Sequence, residues 1–419
     1  MSDPAPSHSV AVIGGAVAGA EVAGTLASHG VLVAVIEQNP RPFGKIEDGL
    51  PRWHVALRRK EYQTIGEKLS RPNVDFVPLT SIGRDVGFRE LTQDWGFSAV
   101  VLACGAWRDR PLPVEGADAY LGRGLIYQNP FIIWFNHANE KAYRGPVFEP
   151  RDGAIVVGGG LASIDVVKVL MLETTRAKLR ERGIEVGMVE LEVKGIPKIL
   201  AGHGLAFEEL GLAGCTLYYR RRAEDMPLVE IPEDAAPERA AKVLASRAKL
   251  LEKAMEKYRF QVRPLCMPDG LIVEQDRLAG LRFRVTRADA DKILPTDETF
   301  EARGSCVISS IGSIPEPIDG IETKGELFRF TDWELGRLDG YPNVFSAGNV
   351  VTGKGNIVAS RKHAASVGGK VAEEIAKLPP ANGATLERVR ARVRERQRAV
   401  GYTGDYASWM AKATPPDLE

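Results

Sequence analysis

The stretch Val10-Ala11-Val12-Ile13-Gly14-Gly15-Ala16-Val17-Ala18-Gly19 decides the fold of this chain. Four apolar residues run straight into glycines, so a buried strand stops at a turn with no room for side chains and a helix begins at once. That helix turns its first backbone N–H groups and the positive end of its dipole toward the turn, a setting that suits a pyrophosphate. The pattern returns much later as Ala154-Ile155-Val156-Val157-Gly158-Gly159-Gly160-Leu161-Ala162-Ser163. Two such corners predict two dinucleotide sites, although a strand-turn-helix corner also carries glycine simply to pack closely.

Residues 31–36 read as the second strand of the first βαβ unit, ending at Glu37, about 20 residues after the glycines, where a carboxylate accepts hydrogen bonds from both ribose hydroxyls. An unphosphorylated adenosine ribose is expected there. The second corner has no matching acid. Its strand, residues 215–219, runs instead into Arg220, Arg221 and Arg222, permanent cations that clamp a 2′-phosphate through charge-assisted hydrogen bonds. This points to NADP, with a solvated basic turn as the alternative. The strand follows its glycines at unusual distance, so residues 172–214 must include an insertion.

The 419 residues imply two or three domains, and 44% hydrophobic content gives each a core. Acidic and basic residues balance at 55 each, which excludes any whole-chain attraction to nucleic acid or anionic membrane and leaves only local patches. Cys104, Cys215, Cys266 and Cys306 lie far apart without a C-x-x-C pair, against a structural zinc, an in-chain iron–sulfur cluster or a redox dithiol. No metal is expected, and the cysteines read as reduced thiols of a cytoplasmic protein. Residues 1–9 lack the blocks of a signal peptide. The apolar stretch 10–26 carries Glu21 and falls short of the ~20 residues of a membrane span.

Strand-like runs at 97–103, 307–311 and 344–347 end in Ala103-Cys104-Gly105, Ile311-Gly312 and Ala347-Gly348-Asn349. Short apolar strands stopping at glycine are what a parallel sheet needs where its carboxyl ends face a ligand. Residues 236–258 read as one long helix and 271–287 as a hairpin turning near Ala279-Gly280. The expected class is α/β, with two Rossmann-like dinucleotide-binding domains, the second nested within the first. The expected partition is 1–112 and 316–378 for the first domain, 113–315 for the NADP domain, and 379–419 for a linker and basic tail. In that tail Leu386, Val389 and Val393 share a stripe while six arginines lie elsewhere. The pattern fits a docked surface helix, or alternatively a landing patch for an acidic partner.

This order of fingerprint, Ala-Cys-Gly turn, nested fingerprint, arginine cluster and late Ala-Gly-Asn turn resembles the glutathione reductase superfamily. Within it, the chain is similar over residues 10–376, and more loosely over the tail 402–410, to the adrenodoxin reductase-like ferredoxin–NADP reductases and to the small subunit of glutamate synthase. Pro42-Phe43-Gly44-Lys45, with Gly49-Leu50-Pro51 and His54, is similar to the loop passing over the flavin ring. Tyr219-Arg220-Arg221 through Glu224-Asp225-Met226-Pro227 is similar to the NADP-binding strand end of the synthase subunit. Thr352-Gly353-Lys354-Gly355-Asn356-Ile357 resembles the segment whose backbone touches the flavin pyrimidine edge.

The resemblance implies FAD on the first fingerprint, with contacts from Gly14, Gly15, Ala16, Ala18, Gly19, Glu37, Gly44, Lys45, Cys104, Gly105, Gly348, Asn349, Gly355, Asn356 and Ile357. It implies NADP(H) on Gly158, Gly160, Leu161, Ala162, Ser163, Arg220, Arg221 and Arg222. His54 is the catalytic candidate, placed by motif position near the ring junction to bind the nicotinamide carboxamide or move a proton. Arg52, Arg58, Arg59 and Lys60 form a basic lip for an acidic ferredoxin, or else a solvated helix face. The implied activity is an FAD-dependent oxidoreductase taking hydride from NADPH and passing single electrons to a ferredoxin-type iron–sulfur protein. An electron-input subunit feeding a partner redox subunit and a non-catalytic NADP/FAD redox sensor are the alternatives. Starting directly at the flavin strand, the chain looks more like the free-standing reductase. It departs from the superfamily at Asn349, where Asp is common.

Overall fold

The computed structural model describes residues 6–414 apart from 232–234, 290, 291 and 354. Its contacts separate two units. One takes in Met1–Arg108, Asn139–Ala142 and Ser313–Glu419, and the other Asp109–Ala138 and Tyr143–Gly312.

In the first unit, five parallel strands lie in the order Val344–Ser346, Ala99–Leu102, Ser9–Ile13, Leu32–Ile36, Val74–Val77. Every residue of Ser9–Ile13 and Leu32–Ile36 is buried, as a sheet covered on both faces requires, which is why these strands read as unbroken apolar runs. The helix Val17–Ser28 packs against Ile357–Ile375. Their approach is close: a Cβ on Gly368 would stand 3.1 Å from Thr25 Cβ. Chain order reverses at Ser9–Ile13, which pairs with Leu32–Ile36 on one side and Ala99–Leu102 on the other. In open α/β sheets a ligand crevice opens at the carboxyl ends of the strands at this switch point.

The second unit repeats the plan. Its parallel order is Leu125–Tyr127, Val307–Ser310, Ile155–Gly158, Thr216–Tyr218, Gln261–Arg263, again with the fingerprint strand in the middle. The stretch between glycines and second strand is filled by the long helix Leu161–Arg180 and two short ones, Met188–Lys194 and Ile196–Gly202. The helix expected over 236–258 spans Pro237–Tyr258. An antiparallel sheet of Cys266–Glu274, Arg277–Asp289 and Lys292–Arg303 packs through Phe283, whose ring stacks on Tyr218 at 4.2 Å and near Phe300 at 5.5 Å.

The hairpin turns at Gln275 and Asp276, both left-handed at φ 47° and 58°, and not at Ala279-Gly280. Positive φ at both central residues is the mark of the type I′ turn that suits the twist of a tight hairpin. Gly280 serves a different need inside the strand: a Cβ there would fall on the Ala302 carbonyl of the neighbouring strand.

The C-terminal residues belong to the first unit's core. Asn382 caps the helix Gly383–Ala399 by accepting the Thr385 N–H at 2.8 Å. Val389 and Val393 are buried, and Gln397 donates to the Phe76 carbonyl at 2.9 Å. Trp409 on the helix Tyr406–Ala413 packs edge-on to Tyr402 and donates its indole N–H to Pro40 at 2.8 Å. Among the described residues, no helix is long and apolar enough to cross a membrane.

Candidate functional site

The first corner is built by backbone proximity. Gly14 sits at φ +98°, and a Cβ there would stand 2.7 Å from the Ala103 carbonyl oxygen and 3.1 Å from Cys104 Cα. Gly19 lies so close that its Cβ would fall on the Gly14 carbonyl. Gly15 faces Pro42, and Gly44, at φ +48°, faces Ala16. Only glycine fits positions this crowded or this left-handed. The following helix has no side-chain cap at Ala16, so its first N–H groups point into the crevice.

Glu37 is almost fully buried at the end of the second strand. Its Oε2 accepts the Gly15 N–H and its Oε1 the Asn39 N–H, both at 2.9 Å. Burial pushes its pKa up to about 7 against the pull of those N–H groups. Lys45 donates to Ser313 Oγ at 3.0 Å and lies 5.5 Å over the Trp107 ring. Trp107 also lines Gly44 and Gly105. Burial drives the Cys104 thiol up to about 12, so at neutral pH it is an inert thiol and no nucleophile.

The late turn joins the same crevice. Gly348, at φ +78°, fits under Ala18, where a Cβ on Gly348 would stand 2.6 Å from Ala18 Cβ. Asn349 carries a buried side-chain oxygen with no hydrogen-bond partner among the described residues, and its Nδ2 lies 4.0 Å from where a Cβ on Gly355 would be. Asn356 caps the helix Ile357–Ile375, accepting the Ala359 N–H at 3.0 Å. The helix therefore starts at Ile357, two residues beyond Gly355. Lys354 lies outside the described residues.

His54 is the half-buried N-terminal flank of the helix Val55–Leu69, its ring 6.1 Å from that of Trp53. The basic lip is thinner than expected. Arg58 is buried, with its guanidinium on Tyr62 Oη and the Glu47 carbonyl, both at 3.1 Å. Arg59 and Lys60 remain exposed. At helical spacing only some members of a basic run reach solvent.

At the second corner the helix Leu161–Arg180 starts without a side-chain cap at Gly160. Gly160 opens on free space and Leu161 is 59% exposed, leaving room for a ligand on the helix N-terminus. Ala162 follows in the same first turn. Ser163 is different: its hydroxyl is fully buried and donates to the Ser310 carbonyl at 3.0 Å, under Gly158. Arg222 is paired with Asp225 at 2.9 Å. The backbone of the two preceding arginines is pinned, since Thr286 Oγ1 donates to the Arg220 carbonyl at 2.7 Å and Leu265 N–H to the Arg221 carbonyl at 3.0 Å. Arg220 itself is exposed.

Three residues of these corners have no role assigned to them in the sequence reading. The Tyr219 ring packs against Gly159, where any Cβ would strike it. Trp107 backs the Gly44–Lys45 loop, and His363 accepts the Gly348 N–H at 2.9 Å. The middle glycine of a triplet followed by an aromatic strand end was a usable signal for Tyr219. Nothing local marked the other two.

No family model matches the chain. It is 23% identical over 412 residues to the mitochondrial NADPH:adrenodoxin oxidoreductase of Arabidopsis thaliana, covering 88% of this chain and 82% of that one. It is 31% identical over 167 residues to the cindoxin reductase of Citrobacter braakii, covering 39% of this chain and 34% of that one; the chain thus spans about a third of that relative. In fold it matches Mycobacterium tuberculosis FprA in complex with NADPH, with a TM-score of 0.70, 18% identity and 94% and 91% of the two chains covered. Over most of its length the chain is thus similar in sequence to an NADPH:adrenodoxin oxidoreductase and shares the fold of FprA, and it carries both fingerprint corners.

Proposed function

We propose that the chain is an FAD-dependent reductase that takes hydride from NADPH and passes electrons singly to a ferredoxin-type iron–sulfur protein. The convergence of Gly14, Gly15, Glu37, Gly44 and the Gly348-Asn349 turn on one crevice carries this reading. The crevice fits a flavin dinucleotide: it offers uncapped N–H groups for a pyrophosphate, a buried carboxylate for a ribose, and an orphaned amide oxygen for a hydroxyl donor. When bound, FAD supplies the conversion between two-electron and one-electron transfer.

On this reading the first unit holds FAD. Glu37 accepts from the adenosine ribose, the Val17–Ser28 N-terminus faces the pyrophosphate, and Asn349 accepts from the ribityl chain. The Ile357 N-terminus faces the pyrimidine edge, where a positive dipole stabilises negative charge. Gly44, Lys45, Cys104 and Gly105 line the approach. The second unit holds NADPH, with Gly158, Gly160, Leu161 and Ala162 at the pyrophosphate and Arg220 and Arg221 around the 2′-phosphate. Ser163 keeps that corner in shape through Ser310, and Arg222 acts through its pairing with Asp225. His54 orients the nicotinamide carboxamide or moves a proton at the reacting edge, and Arg59 and Lys60 receive an acidic partner. The printed names of the Arabidopsis relative and of the FprA complex support NADPH as donor.

The test is direct. The purified chain should be yellow, its flavin band should bleach anaerobically with NADPH, and it should reduce cytochrome c only through added ferredoxin. A colourless protein indifferent to FAD ends the reading. Ferricyanide reduction without any ferredoxin-dependent activity ends the part about the acceptor.

A further inference from the structure

The peptide that leads into Asn349 is held by a histidine ring. After Ala347 makes the last sheet bond, to the Leu102 carbonyl at 2.8 Å, the Gly348 N–H leaves the ladder and donates to His363 Nδ1 at 2.9 Å. A backbone N–H is only a donor, so Nδ1 must carry a lone pair and the ring proton must sit on Nε2. Nε2 faces the Glu334 carbonyl at 3.3 Å, the acceptor that this tautomer needs. The ring therefore bridges two backbone groups in a single neutral tautomer.

Gly348 has no other place to go. Its φ of +78° is left-handed, and the space a Cβ would take is filled by Ala18 Cβ at 2.6 Å and Ser360 Oγ at 2.9 Å. A second proton on the ring would set N–H against N–H at Nδ1 and break the bridge. The surroundings do not favour that proton. Burial holds the His363 pKa below its ordinary value. The Glu334 carboxylate is engaged by Lys370, and Asp332 Oδ1 accepts the Glu334 and Leu335 N–H groups at 2.8 and 3.1 Å. On the ring's own helix Arg361 pairs with Glu61 and, at 3.7 Å, with Glu21, while Lys362 is exposed.

We propose that His363 is a positioning residue for the flavin site: its Nδ1–Gly348 bond sets the turn that aims the orphaned Asn349 oxygen at the cofactor, and protonation of the ring releases that turn. The proposal rests on the reading that the first unit carries FAD, and it makes flavin retention acid-labile through a residue that touches no flavin.

The experiment uses the full chain stripped of flavin, as wild type, H363N and H363F. Asn keeps an acceptor near the Nδ1 position and does not titrate; Phe fills the volume without an acceptor. Two readouts are taken between about pH 5.5 and 8, a range spanning the ordinary histidine pKa: the FAD dissociation constant by fluorescence quenching, and the thermal midpoint of the apoprotein. Glu37 contributes its own loss of affinity in acid in all three proteins, so the signal is the difference between variants. The expected result is that acid weakens FAD binding several-fold more in wild type than in H363N, and that the apoprotein midpoint of wild type falls in acid relative to that of H363N, over the Glu37 dependence common to both. H363F should bind FAD about tenfold or more weakly at every pH. Equal acid losses in wild type and H363N, or wild-type affinity in H363F, overturns the proposal. Failure of every variant, wild type included, to bind FAD at pH 8 overturns the FAD reading and the positioning role with it, while the apoprotein midpoints still report whether the ring bridge exists.

Discussion

The Glu37 carboxylate accepts the Gly15 N–H at 2.9 Å while the Gly15 Cα faces Pro42. The acid that ends the second strand therefore also fastens the turn that ends the first. A ribose contact and a turn staple share one buried side chain.

That sharing sets a pH dependence. In the folded apoprotein Glu37 titrates at about 7, raised by burial from 4.5. The native state binds the extra proton between those values, so this group's contribution to stability falls as pH rises through that window. Ribose hydroxyls donate to the ionised form, so FAD binding expels the proton. Affinity for FAD should rise about tenfold per pH unit below 7 and level off above it. Isothermal titration should show proton uptake by the buffer on binding at pH 6, and E37Q should lose the Glu37 share of both the slope and the proton, keeping only the smaller acid loss assigned to His363.

At the second corner the three arginines should separate. R220A and R221A should each raise the NADPH KM about tenfold or more, since a charge-assisted hydrogen bond is worth ~1.5–3 kcal/mol, and leave NADH kinetics nearly untouched. R222A should act several-fold less, because its guanidinium is already paired with Asp225. Steady-state kinetics with both nucleotides decides it; equal losses for NADPH and NADH would remove the 2′-phosphate from the account.

Glycines of the two corners should also differ. G19A places a methyl group on the Gly14 carbonyl and should unfold the first unit or leave it unable to hold flavin. Gly160 faces open space at extended backbone angles, φ −90° and ψ 177°. G160A should keep the wild-type melting temperature and lose NADPH affinity, as measured by thermal shift and by nucleotide titration.

W409A should destabilise the first unit by about 3 kcal/mol or more, the usual cost of deleting a buried tryptophan. Its indole also holds the Pro40 carbonyl, three residues beyond Glu37. Weakened FAD binding should accompany the lower denaturation midpoint in urea.

Legibility in the sequence followed locality. Both parallel sheets showed in runs such as 10–13 and 154–157, because strands buried on both faces must be apolar throughout and must stop at glycine where the chain turns into a helix. The turn of the hairpin, at Gln275-Asp276, carries no glycine to mark it, whereas the nearby Gly280 answers to the approach of another strand. The C-terminal stretch reads as a linker and tail because its polarity is high, with the Val389–Val393 stripe marking a docked helix face; how Tyr402 and Trp409 dock shows only in what they touch. Arg58 shows the same limit: its neighbours at 59 and 60 are exposed, and only packing against Tyr62 and Glu47 sets it apart. Contacts between residues hundreds of positions apart leave no local pattern to read.

The most direct measurement is anaerobic stopped-flow mixing of the FAD-loaded chain with NADPH or NADH while the flavin absorbance is followed. The account predicts rapid bleaching with NADPH, much slower bleaching with NADH, and recovery of the band when oxidised ferredoxin is added. A chain that takes up no FAD, or whose flavin band is untouched by NADPH, would contradict it.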